Sequence, residues 1–161
     1  YRAGAHELAK EIERKFLVKR ELWRPQDGGQ TIRQGYLVSS AELSVRVRRY
    51  GAQAFLTIKG PKKGMIRDEY EYPIASADAD EMLDTLCIQP VIDKTRYASM
   101  FAGREWVVDV FAGVNAGLVL AEVELESEDA ELVLPDWAGL EVTDDVRYLN
   151  ANLALKPFSR W

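Results

Sequence analysis

The chain has 161 residues, enough for one ordinary domain with a sizeable core, and its 47% hydrophobic and 29% charged residues are the mixture of a soluble globular protein. A formal net charge of −5 argues against a general nucleic-acid binder, and no run approaches the roughly 18 apolar residues of a membrane-spanning helix. The one cysteine, Cys87, forbids an intrachain disulfide and fits a reducing, cytoplasmic setting, while the one histidine, His6, falls in a leading segment 1–9 that reads as a flexible end or vector remnant before a single domain over 10–161.

Residues 10–18, which include "EIERKFLV", read as a strand with Glu11, Glu13, Lys15 and Leu17 on one face and Ile12, Arg14, Phe16 and Val18 on the other. Further strands are predicted over 31–38, 43–50, 53–59, 66–74, 93–98, 105–111 and 118–126, punctuated by glycine-rich turns too short for crossover helices, so the sheet is expected to be a largely antiparallel meander. A helix is predicted over 76–87, with Ser76 as its N-cap, acidic residues in the first turn and Met82, Leu83 and Leu86 on one face. Cys87 lies on that apolar face as a small buried thiol. "SEDAELV" (127–133) repeats the capping pattern, and "DDVRYLNANLA" (144–154) completes the predicted helices.

In strand after strand one face is charged and the other apolar. Arg46 and Arg48 alternate with Val45 and Val47; Lys59 follows Leu56 and Ile58; Arg67, Glu69 and Glu71 alternate with Tyr70 and Tyr72. Lys94 and Arg96 repeat the spacing, Asp109 stands between Val108 and Val110, and Glu122, Glu124 and Glu126 alternate with Val123 and Leu125. An open sheet with one wet face would also alternate. Two features favour a charged concavity or barrel interior: the few helices suffice to cover the apolar face, and the charges are sorted into basic and acidic files.

Two carboxylates about 6 Å apart repel by roughly 2.8 kcal/mol at an effective dielectric near 20, so an acidic file needs a compensating cation. Clustered carboxylates without His or Cys suit Mg²⁺ or Mn²⁺ better than zinc. The basic files, Lys15, Arg46, Arg48, Lys59, Lys94 and Arg96, with Arg67 as a weaker member, call for an anion, and guanidinium forks match phosphate oxygens. Together they suit an elongated polyanion with a metal, and with no P-loop and no usable His the chemistry left is metal-assisted attack of water on a phosphoanhydride.

The ordered set "EIERKF", "RQGYL", "VRVR", "TIKG", "RDEYEY", "DKTRY", "DVFAG", "AEVELESED" and "EVTDDVRYLN" resembles the triphosphate tunnel metalloenzymes, or CYTH superfamily, over nearly the whole chain from about residue 10. "RQGYL" and "EVTDDVRY" look most like its small bacterial branch, several members of which hydrolyse inorganic tripolyphosphate. The resemblance implies a mainly β fold, an eight-stranded antiparallel closed barrel with a few peripheral helices, whose tunnel takes a triphosphate and one or two divalent ions. By motif, Glu11, Glu13, Asp109, Glu122 and Glu124 are the expected metal ligands. Lys15, Arg46, Arg48, Lys59, Arg67, Lys94 and Arg96 are the expected phosphate ligands, with Glu69 and Glu71 orienting basic residues or water. Lys15, Tyr36, Arg48 and Lys94 are the expected catalytic set, with Tyr36 hydrogen-bonding Lys15.

Glu126 reads as a surface residue, and Trp106, Trp137 and Trp161 read as packing residues with no sign of a base-stacking platform. The partner expected is a small triphosphate, with neither nucleic acid nor membrane, and a homodimer is left open. Rival readings are hydrolysis of nucleoside or thiamine triphosphate, an adenylyl cyclase of the class IV type, for which the first strand lacks the upstream His-Phe pair, and a non-catalytic polyphosphate-binding module.

Overall fold

The computed structural model describes residues 7–9, 12–61 and 67–161, the first three by backbone only. His6, Glu11 and residues 62–66 therefore lie outside the described residues. Ten strands form one sheet: β1 (Glu7–Ala9), β2 (Ile12–Val18), β3 (Gln30–Ser39), β4 (Ser44–Tyr50), β5 (Gln53–Lys59), β6 (Arg67–Pro73), β7 (Ile92–Phe101), β8 (Arg104–Phe111), β9 (Val119–Leu125) and β10 (Ala138–Glu141). Helix α1 (Ser76–Thr85) links β6 to β7, and a short helix α2 (Asn150–Leu155) lies near the C-terminus.

The strand order is β1-β6-β5-β4-β3-β7-β8-β9-β2-β10, and every neighbouring pair is antiparallel. Ala9 pairs with Arg67 at one end of this order, whereas Ile12 pairs with Leu125 near the other. Three peptide links separate Ala9 from Ile12 and can span at most about 11 Å. The ladder must therefore curl until its two ends lie side by side. With β1 and β2 as two arms of one segment, eight strands make the barrel wall and β10 is an added edge.

The apolar faces point outward and are covered there. Helix α1 lays Ala79 and Leu83 on Val47 and Ala54, and Cys87 and Val91 extend the same cluster. Gly35 lets this layer close: a Cβ there would stand 2.9 Å from Cys87 Cβ and 3.0 Å from Val91 Cγ1. On the opposite side Phe16, Trp106, Val108, Ala121 and Val123 from β2, β8 and β9 pack with Trp137 and Ala138, and the Trp106 ring meets Trp137 edge-on at 5.4 Å.

Three local expectations are corrected. Residues 127–133 form no helix, because Pro135 disfavours helical backbone before it and the Glu131 carbonyl accepts from Arg104 Nη2 at 3.1 Å, while Ala130 and Leu132 pack along the outer wall. The segment 144–154 is split at Leu149, whose extended backbone (φ −68, ψ 134) separates a 3-10 turn, Val146–Tyr148, from α2. Ser76 is the first residue of α1, not its cap, since its hydroxyl donates to the Ala52 carbonyl at 2.7 Å. Strand β10 gave no readable alternation over four residues, and it contains Gly139, whose Cβ position lies 3.1 Å from the Leu17 carbonyl.

Candidate active site

Because side chains alternate along each strand, closing the apolar faces outward turns the charged files inward. They meet in a central cavity of about 350 Å³, within the usual range for small-molecule sites. Lys15, Arg46, Arg48, Lys59, Lys94 and Arg96 line it from four strands, β2, β4, β5 and β7. Facing them on the same wall are Glu13, Glu69, Glu71 and Glu122, so six cations meet four carboxylates.

The cavity is polarised along its axis. One mouth, a chamber of about 390 Å³, is rich in carboxylates, with Glu13, Glu105, Glu122 and Glu124 on its wall beside Arg96 and Arg104. The pairing register puts Glu13 directly opposite Glu124 and Lys15 opposite Glu122. The other mouth, about 250 Å³, is basic and hydroxyl-rich, with Arg46, Lys59, Arg67, Ser39 and Ser44. A register shift between Tyr36 and Val38 turns Ser39, not Val38, toward this mouth; Ser39 pairs with Ser44, and Val38 is exposed.

The cations are held by specific partners. Lys15 Nζ lies 3.5 Å from Glu122 Oε1 and donates to the Tyr148 carbonyl at 3.5 Å. Arg46 Nη2 donates to Thr57 Oγ1 at 3.3 Å, and that hydroxyl donates to Glu71 Oε2 at 3.0 Å. Arg48 Nε donates to Gln34 Oε1 at 2.8 Å. Lys94, only 2% exposed, meets Asp109 Oδ2 at 2.8 Å and Asn150 Oδ1 at 3.0 Å. Arg96 holds the same carboxylate with both ends of its fork, at 2.8 and 2.9 Å.

This crowding shifts the titrations. Burial, with Arg96 and Arg48 nearby and only Asp109 opposing, lowers Lys94 to about 8. Burial and the neighbouring Arg46 and Arg96 lower Arg48 to about 9. For Arg96 burial pulls downward, but the two hydrogen bonds it donates to Asp109, with that carboxylate's charge, outweigh it and keep the group above the ordinary arginine range. Asp109 is buried, which by itself would raise its value; Lys94 and Arg96 together hold it down to about 2.

Of the residues singled out in the sequence, Lys15, Tyr36, Arg46, Arg48, Lys59, Glu13, Glu69, Glu71, Lys94, Arg96 and Glu122 share the central cavity. Glu124 and Arg67 stand at opposite mouths, where Arg67 Nε donates to the Gly60 carbonyl at 2.7 Å. Asp109, expected as a metal ligand, sits on the inner face opposite Arg96, 2% exposed, with both oxygens engaged by Lys94 and Arg96, so its carboxylate braces those cations. Tyr36 differs from expectation, since no hydrogen bond joins it to Lys15 among the described residues and its ring packs with Ile92, Phe111 and Tyr148. Glu126 is exposed, as expected, and pairs with Arg104 at the rim of the acidic mouth. Gln34, Thr57, Glu105 and Asn150 were missed. Gln34 shares the inward parity of Tyr36 within "RQGYL", a signal the sequence carried, whereas Asn150 depends on the break at Leu149.

Among the described residues no three carboxylates converge closely enough to hold an ion alone. The donor chemistry nevertheless fits a hard divalent cation. Mg²⁺ typically takes one or two carboxylates and completes its shell with waters and phosphate oxygens, and Glu13, Glu122 and Glu124 place oxygen donors on one wall beside the basic cage.

An antiparallel barrel with a charged lumen, basic at the centre and acidic at one mouth, defines the class of this protein. The CYTH domain pattern matches residues 9–156. The chain is 46% identical over 154 residues to the inorganic triphosphatase of Acetivibrio thermocellus, covering 96% of this chain and 99% of that one. It is 41% identical over 152 residues to the inorganic triphosphatase of Nitrosomonas europaea, covering 90% and 97%. A crystal structure of an inorganic triphosphatase superposes with a TM-score of 0.72 at 38% identity, covering 91% of this chain and 95% of the other. The chain belongs to the CYTH domain family.

Proposed function

We propose that this protein is a Mg²⁺- or Mn²⁺-dependent triphosphatase that hydrolyses inorganic tripolyphosphate to diphosphate and phosphate. The observation that carries this reading is the convergence of six cations on one cavity beside an acidic mouth. Its similarity to two bacterial inorganic triphosphatases over almost its full length supports the same substrate class.

Lys15, Arg46, Arg48, Lys59, Lys94 and Arg96 bind the phosphate oxygens, and Arg67 extends the grip at the basic mouth. Glu13, Glu122 and Glu124, with Glu11 as the expected partner outside the described residues, would hold the divalent ion. When bound, that ion neutralises phosphate charge and orients or acidifies water. The water oxygen bonds to the terminal phosphorus as the bridging P–O bond breaks, and diphosphate leaves with the bridging oxygen. Charge moves onto that oxygen during the step, so guanidinium and ammonium groups already fixed around it stabilise the transition state without reorganising. The Glu71-Thr57-Arg46 and Asp109-Arg96 contacts supply that fixation.

Among the described residues no helix is long and apolar enough to cross a membrane, and the buried Cys87 thiol suits the cytoplasmic setting we propose. Phosphate release from tripolyphosphate, ATP and thiamine triphosphate, each with Mg²⁺, Mn²⁺ or chelator, tests the assignment. Metal-dependent release mainly from tripolyphosphate is expected; preference for an organic triphosphate refutes the substrate, and release undiminished by chelator refutes the metal.

A further inference from the structure

The side-chain amide of Asn150 occupies an unusual position in the cage. Its Oδ1 accepts from Lys94 Nζ at 3.0 Å and from Gln34 Nε2 at 3.1 Å. Gln34 in turn accepts from Arg48 Nε at 2.8 Å, and Lys94 continues to Asp109 and thence to Arg96. One unbroken chain of hydrogen bonds therefore runs Arg48-Gln34-Asn150-Lys94-Asp109-Arg96, crossing β4, β3, α2, β7 and β8. Gln34 is 0% exposed and Lys94 2%, so a lost link at either leaves a buried polar group without the partner that fixes its position.

The chemistry of the link matters as much as its place. Arg48 and Lys94 are like charges in one buried cage: Arg48 contributes to depressing the charged form of Lys94, and Arg46 and Arg96 depress that of Arg48. They cannot hydrogen-bond directly, because both are donors only. A neutral acceptor between them fixes both without cancelling either charge, whereas a carboxylate would fix them and remove one positive charge from a cage built to take an anion. Asn150 meets that requirement, and Gln34 relays it to the guanidinium. Asn150 is also the one member of the chain not carried by the barrel wall. The extended Leu149 delivers it, and Tyr148, Leu153 and Ala154 anchor the C-terminal segment on Ile92, Phe111, Leu118 and Leu120.

We propose that Asn150 is a positioning residue for triphosphate binding: its single carbonyl oxygen sets the spacing of Lys94 and, through Gln34, of Arg48, so that cations from two strands engage one polyphosphate. This inference rests on the triphosphatase reading. Gln34 belongs to the same device, and the C-terminal segment completes the site as well as the core.

Five proteins test it: wild type, Asn150→Ala, Asn150→Asp, Gln34→Ala and the double variant Gln34→Ala/Asn150→Ala, which closes the cycle. Melting temperature, kcat and KM for tripolyphosphate are measured for each. Asn150→Ala is expected to raise KM by about ten-fold or more, the loss of roughly one charge-assisted hydrogen bond, with kcat/KM falling further. Asn150→Asp keeps the acceptor geometry and gains an ion pair with Lys94, so it melts at or above the wild-type temperature yet still shows the raised KM. In the double variant the two losses are not additive, because Gln34 acts through the same oxygen.

The inference is overturned if both Asn150 variants keep KM and kcat within about two-fold of wild type, a change below about 0.4 kcal/mol. It is also overturned if Asn150→Asp restores wild-type KM in full, which would make the residue a structural acceptor only. Should the wild type prove inactive while tripolyphosphate still raises its melting temperature, the triphosphatase reading falls alone, and the same shift compared across the variants decides Asn150. If tripolyphosphate neither turns over nor stabilises the wild type, both fall.

Discussion

Two arginine–carboxylate pairs lie on this barrel with nearly the same covalent geometry and opposite surroundings. Within the cage, Arg96 grips Asp109 at 2.8 and 2.9 Å; at the rim of the acidic mouth, Arg104 grips Glu126 at 2.8 and 3.0 Å. Asp109 is 2% exposed and serves a second cation, Lys94, whereas the Glu126 side chain is 69% exposed and serves one. Both carboxyls are held down to about 2, yet water and salt screen the outer pair and leave little net stability in it. The inner pair is neutral in itself and leaves Lys94 in excess. A cage with surplus cations, fixed in place by a buried carboxylate, is poised for an anion; the outer pair is satisfied and is poised for nothing.

Breaking the inner pair should therefore have the largest effect. Asp109→Leu strands two buried cations and is expected to cost about 3–5 kcal/mol, read as a lower denaturation midpoint, along with most activity. A midpoint unchanged within error would show that the cations relax into solvent without it. Next in size is Arg46→Ala, which removes one developing-charge contact and spares the Asp109 pair. Turnover should fall by roughly 10²-fold while the melting temperature stays nearly constant, and an unfolded variant would contradict the role assigned to Arg46.

Glu122→Gln is expected to weaken the metal requirement, seen as a rightward shift of the Mg²⁺ or Mn²⁺ titration; an unmoved titration removes Glu122 from the metal region. Smallest of all, Arg104→Ala at the rim of the acidic mouth should leave the denaturation midpoint within error of wild type, because water and salt screen its pair with Glu126; a clear fall in the midpoint would contradict that screening.

The pH dependence sharpens the same contrast. Asp109 has a folded value of about 2, below its ordinary one, so its stabilisation is full above about pH 4 and is lost as pH falls toward 2. Lys94 is lowered to about 8, so the free enzyme loses that charge as pH rises through about 8. The kcat/KM profile should fall on its alkaline side near that value, and a flat profile to pH 10 would remove Lys94 from the phosphate grip. For stability the sign is reversed: an unfolded lysine binds its proton to about 10.4, so raising the pH from about 8 relieves the cost of burying the charge.

Much of this was legible in the sequence because a barrel strand obeys a period of two. Once Val45, Val47 and Leu56 are assigned to the outer core, Arg46, Arg48 and Lys59 have nowhere to point but inward. Asp109 shows the limit of that rule. Parity placed it on the inner face, but its partners depend on the β7–β8 register, which sets Arg96 directly opposite and Lys94 on the diagonal, and a sequence does not state that register. Asn150 lies further beyond it. Residues 144–154 look like one helix, and only the packing of Tyr148 and Leu153 into the barrel end bends the chain at Leu149 and brings the amide to Lys94. Residues 127–133 carry helix-capping chemistry, but a tertiary bond from Arg104 to the Glu131 carbonyl competes with the helix.

The most direct test of the account is phosphate release from inorganic tripolyphosphate by the wild type and by Arg48→Ala, with Mg²⁺, with Mn²⁺ and with chelator. The account predicts metal-dependent release by the wild type, abolished by chelator and reduced at least roughly 10²-fold in a folded Arg48→Ala protein. Equal release by both proteins, or no release by the wild type under any metal, would contradict the claim that the surplus of buried cations is what makes this barrel an enzyme.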